Sequence, residues 1–148
     1  MFNSNIQATG RLSVVLKDES GAIKDSREIN NLVVTTGLGY IASRMKDATA
    51  DAMSHMAIGS GTAAAAAGNT SVGSQLARQA LTSTTVAGGV VTYAASFSSG
   101  TGTGAVTEAG IFNDPTAGTM LCRTVFDVVN KGANDTLAIT WTITLSAS

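Results

Sequence analysis

The chain reads as mainly β: an antiparallel β-sandwich or jelly-roll-like barrel with one short helix at about residues 36–46. Three observations predict this class. Leu137, Ile139, Trp141, Ile143 and Leu145 alternate with Ala138, Thr140, Thr142 and Thr144, so a strand here has one apolar and one hydroxylated face. About seven to nine segments of strand composition follow one another, separated by Gly, Asn and Asp clusters. Only one segment carries the apolar spacing of a substantial helix.

In chain order, Leu12, Val14 and Leu16 share one face of a strand that ends in the turn Asp18-Glu19-Ser20-Gly21. The chain returns from Ala22 as a second strand reaching Val34, which makes an opening hairpin. Leu38, Ile41, Ala42 and Met45 then form one stripe of a helix. A threonine is expected as its N-cap, with Arg44 and Lys46 near its C-terminal end. His55 to Gly59 is a short strand, and Gly61 to Gly73, with five successive alanines, is a surface loop. Ala80 to Ala87 and Val90 to Phe97 pair around Gly88-Gly89. Ser98 to Gly104 is a flexible connector. Val106 to Phe112 and Thr119 to Val129 form another hairpin around the Pro115 loop, with Met120, Cys122, Phe126 and Val128 expected on one face. Trp141, Ile139, Ile143, Phe126, Phe97 and Phe112 are the expected core anchors.

The 148 residues fit one β domain, with residues 1–9 as an N-terminal contact arm. Cys122 is the only cysteine, which rules out an internal disulfide, and its apolar neighbours point to a buried small hydrophobe. No long apolar run or basic-then-apolar leader is present, so the expected product is soluble and made in a cytoplasm. Charged residues are 13% of the chain, against roughly 25% in ordinary soluble domains. A net charge of −1 gives no field for nucleic acid or an anionic membrane. The surface must be largely Thr, Ser, Ala, Gly and Asn, which is cheap to desolvate and suits a protein that lives assembled.

Convergent chemistry is scarce. Asp47, Asp51 and His55 stand four apart, so a continuing helix would stack them as a metal site. Gly59 follows soon after and His55 belongs to the next strand, so a solvated polar connection is expected and no metal or cofactor. Gly100-Thr101-Gly102-Thr103-Gly104 lacks the lysine of a phosphate loop. Glu108, in an otherwise uncharged strand, is placed to pair with Arg123 across the hairpin. No second carboxylate stands beside it, so a glycosidase pair is unsupported and no enzyme is expected. Seven aromatics leave too few for a sugar-binding row once a core is filled.

Several blocks resemble a known group of proteins. They are Asn31 to Leu38 with Ile41-Ala42-Ser43-Arg44, and Met56 to Thr62 with an alanine-rich loop and Leu76-Ala77-Arg78. Val106 to Asn113, Gly118 to Arg123 and the Thr-rich final strand complete the set, covering roughly residues 30 to 146. In this order they resemble small β-rich structural proteins of tailed bacteriophages, both capsid cement or decoration proteins and the front of tail-fibre and baseplate components. The resemblance implies a non-enzymatic virion protein, made in the host bacterial cytoplasm and most often seated on the outer capsid surface. The implied partner is the major capsid protein, whose subunits it would bridge, or else tail or baseplate proteins. A homo-oligomer, dimer or trimer, is expected, with no nucleic acid or membrane partner. Loops 61–74, 98–104 and 113–118 and the N-terminal arm are the expected contact segments.

Overall fold

Alternation of apolar residues along the chain resolves into nine strands in the computed structural model, which describes residues 5–46 and 49–147. The strands are β1 (Ile6–Lys17), β2 (Ile23–Val33), β3 (His55–Gly59), β4 (Gln75–Ala80), β5 (Ser83–Ala87), β6 (Val90–Phe97), β7 (Gly104–Phe112), β8 (Met120–Lys131) and β9 (Thr136–Ala147). One helix, α1 (Thr35–Ser43), lies between β2 and β3. Every strand pair is antiparallel, in the order β4-β3-β7-β8-β2-β1-β9-β6-β5.

This long sheet curls because the chain changes partners at two corners. At the first, β2 pairs with β1 as far as Asn31, and then Leu32 and Val33 pair with Arg123 and Cys122 of β8. At the second, β4 pairs with β3 and β5 with β6, while Leu81 N–H donates to Ser54 O and Thr82 N–H to Ala94 O. The result is two layers: β5-β6-β9-β1-β2 faces β2-β8-β7-β3-β4. Each layer contributes its inward residues to one core. Leu12, Val14, Ile139, Trp141, Ile143, Tyr93 and Phe97 come from the first layer, and Met56, Ile58, Val106, Ile111, Leu121 and Val129 from the second. Trp141, Phe97, Ile139 and Ile143 are buried as their alternation requires, and Phe112 is buried too, but in a separate cluster on the outer side of the second layer.

Three expectations need correction. Met120, Cys122, Phe126 and Val128 do not share a face. The β7–β8 ladder shifts register between Val106 and Glu108 and between Ile111 and Phe112, and each bulge breaks the period of two. Met120 therefore joins the outer cluster and Cys122 the inner core, while Phe126 is only half-buried and Val128 is exposed. Next, the helix ends at Ser43 rather than near residue 46, and its N-cap is Val34, with no side-chain cap bond. Thr36 instead donates its hydroxyl to Met120 O. The stripe predicted to pack is also the wrong one, since Leu38, Ala42 and Met45 are exposed. The packing face is Gly37, Tyr40 and Ile41, because Gly37 sits directly on β8. A Cβ there would lie 2.0 Å from Leu121 O, so only glycine allows the approach. Finally, residues 6–9, expected as part of an arm, are the first rungs of β1, pairing with Ala147 to Thr144 of β9. Residues 1–4 of that arm lie outside the described residues.

Candidate functional site

Glu108 and Arg123 project from the outer face of the second layer. In the β7–β8 register Gly110 opposes Arg123 and Glu108 opposes Val125, so the two side chains meet diagonally. Arg123 Nε and Nη2 donate to Glu108 Oε1 at 3.2 and 3.0 Å. Both side chains are buried, Glu108 at 0% and Arg123 at 2% exposure. Charges this deep must have every lone pair and proton engaged.

The segment from Ser60 to Ser74 supplies the remaining partners. Gly73 N–H donates to Glu108 Oε1 at 2.6 Å, and Ser74 and Gly61 N–H donate to Oε2 at 2.8 and 2.5 Å. Arg123 also donates to Asn69 Oδ1 and Ala63 O, each at 3.0 Å. Thr107 adds a hydroxyl bond to Gly61 O. A side chain at Gly61 would fall 2.3 Å from Glu108 Oε2, which explains glycine where the loop crosses the carboxylate. Beneath the loop, Val72 packs with Val34, Ala57, Phe112 and Met120. Burial by itself raises the Glu108 pKa, but the bonds from Gly73, Ser74, Arg123 and Gly61 outweigh it and hold the carboxyl below its ordinary value.

The other two predicted contact loops are also tied down. In 98–104, Gly100 N–H bonds Ala133 O, and the buried Lys131 ammonium donates to Ser98 O and Asp135 O. Asp135 in turn accepts from Lys24 and from Gly132 N–H. In 113–118, Asp114 Oδ2 accepts from Thr116 and Ala117 N–H, and Arg78 donates to Asp114 O and Ala117 O while lying 3.7 Å over the Phe112 ring. These loops are pre-shaped rather than slack.

The outer face of the first layer is bare. Register aligns Arg11, Thr142, Thr92 and Thr85 in one row, and Ser13, Thr140, Ala94 and Ser83 in the next. Thr9, Thr144, Val90 and Ala87 form a third. The result is a plate of hydroxyls and small apolar groups, where one ion pair, Arg11 with Glu28, supplies the charge at its β2 side. Sequence alternation alone marks the strip on β9. Its extension over β6 and β5 depends on which strands become neighbours.

Other predicted residues are not brought together. Asp47 lies outside the described residues, while Asp51 precedes β3 and His55 begins it, with Ser54 Oγ 2.8 Å from His55 Nδ1. Among the described residues no group of three or more His, Cys, Asp or Glu stands close enough to hold a metal ion. Cys122 is fully buried, and desolvation pushes its thiol well above the ordinary value. Sequence reasoning missed the covering of the second layer. The available signal was Val72, an apolar residue in a polar loop, together with Glu108, the single charge of β7.

No protein-family model matches the chain, and neither the curated proteins nor the solved structures contain a significant match to it.

Proposed function

We propose that this chain is a non-enzymatic structural protein of a tailed-bacteriophage virion, a cement or decoration protein that binds across major capsid subunits and stabilises the head. The observation that carries the reading is the Thr/Ser/Ala plate on the first layer. Small hydroxylated side chains lose little rotamer entropy and little hydration when another surface covers them. Such a face adheres without needing a charge partner, and modest contacts become strong when many copies engage one lattice. The tied loops support the same reading, since a loop already held in shape pays less ordering entropy on contact. The phage-like blocks of residues 30 to 146 supply the virion context.

Copy number tests it. Quantitative mass spectrometry of purified virions, scaled to the major coat protein, should give a ratio near one or a simple fraction of it. A few dozen copies or fewer would reassign the chain to a tail, fibre-adaptor or baseplate role. Absence from virions would end both readings.

A further inference from the structure

Between β5 and α1 the curled sheet does not close. A cavity of about 460 Å³ opens there, with Thr84, Val86, Tyr93 and Ile143 on one wall and Tyr40 and Met45 on the other. Its lining is apolar, yet side chains at its mouth are bare: Val86 is 70%, Ile6 79% and Met45 84% exposed. β5 ends the strand order, all five of its residues are exposed, and among the described residues its ladder runs to β6 alone. One row of its N–H and C=O groups is therefore open to pairing. Soluble proteins guard such an edge with lysine, proline or a bulge. β5 reads Ser-Thr-Thr-Val-Ala, pairs with β6 in unbroken register, and lies in a stretch from Gln79 to Thr107 without a charged residue.

We propose that β5 pairs antiparallel with β5 of a second copy, about a two-fold axis through Thr85. Thr85 then faces Thr85 of the other copy, Thr84 faces Val86, and Ser83 faces Ala87. Residues directly opposite share a sheet face, so Thr84 and Val86 of both copies extend the inner face of the first layer. Val86 of the second copy covers the mouth of the cavity, and the reverse contact covers the other. The absence of charge selects this occupant. A two-fold contact brings each residue near the axis against itself, so a charge there would meet its like. Ser83–Ala87 offers no such clash, and the two-fold sets its small side chains against one another. Among the described residues that line the cavity, Arg44 is the one with a charge, and it belongs to the helical wall. This dimer rests on the edge and the cavity alone, so its failure leaves the virion reading standing.

The test is sedimentation equilibrium of the full chain at about 0.1 mM, where even weak interfaces are populated. The expected result is twice the monomer mass. Val86→Asp, at an exposed position, should weaken dimerisation more than about tenfold with an unchanged circular dichroism spectrum. Because Cys122 is fully buried, Thr85→Cys introduces the one accessible thiol and should give a disulfide-linked dimer under mild oxidation. Thr142→Cys, two strands away in the same row, should not. A monomer, a trimer, a dimer unaffected by Val86→Asp, or equal cross-linking at Thr142 would overturn the proposal. So would a monomer whose edge is taken by another protein.

Discussion

Among the described residues, two arginine–glutamate pairs bridge neighbouring strands, and they differ in what lies above them. Arg123 and Glu108 sit on the second layer under the 60–74 loop, with side-chain exposures of 2% and 0%. Arg11 and Glu28 sit on the first layer in open solvent, at 63% and 61%. The chemistry is the same, but only the covered pair organises other parts of the chain. Its carboxylate collects three backbone N–H groups and its guanidinium a carbonyl and an amide oxygen, so the pair determines where fifteen residues of loop lie. The open pair competes with water for every bond. Burial, rather than the ion pair itself, makes a cross-strand contact structural.

The largest effect should come from Arg123→Ala, which leaves Glu108 as an uncompensated buried charge. A loss of about 3–5 kcal/mol is expected in urea unfolding, together with rapid amide exchange at Gly61, Gly73 and Ser74. A loss below about 1 kcal/mol would place the loop's anchorage elsewhere, in Val72 and its apolar neighbours. Glu108→Gln is milder, since the amide oxygen still accepts from the loop. It should cost about 1–3 kcal/mol, with Arg123 losing its charge partner.

Acid should separate the two regions without mutation. Glu108 is held below its ordinary value of 4.5 in the folded state. The stability it contributes is full above about pH 4.5 and is lost as pH falls through the lower folded value. Loop amides should exchange faster in that acid window while those of β1 and β9 stay protected. Glu108→Gln should remove the difference.

A smaller effect lies at the opposite end of the pH scale, on the first layer's inner face. Burial, then the neighbouring Tyr40 and Cys122, pushes the Tyr93 hydroxyl up to about 12, from 10.0. The protonated phenol is thus favoured by folding, and its contribution is complete below about pH 10 and fades as pH climbs towards 12. Tyr93→Phe should flatten that part of the alkaline stability profile. The smallest effect is expected from Arg11→Ala, below about 1 kcal/mol and less at high salt. A larger loss there would make the bare plate a structural surface in its own right.

How far the sequence reaches can be judged at particular residues. Strict alternation from Leu137 to Leu145 sufficed for β9, because a strand with one wet and one dry face has no other economical arrangement. Gly88-Gly89 sufficed for the β5–β6 hairpin, since a two-residue turn sets the register of its strands. Glu108 and Arg123 could be matched from the hairpin between them. Their depth could not, because the groups that bury them come from residues 61–74, distant along the chain. The period of two likewise failed where bulges intervene in β7 and β8, which no local residue announces.

The helix shows the same division. Its existence follows from local spacing, but its packing face follows from Gly37 on the β8 backbone. What the sequence determined alone was the kind of chain: mainly β, punctuated by turns, sparsely charged, with an alternating final strand. The tertiary structure alone decided which layer is covered, which strand is left at the edge, and where the core stays open. Alternation and turn chemistry act within a few residues, whereas those outcomes depend on strand neighbours, such as β1 with β9, that meet only after the whole sheet has curled.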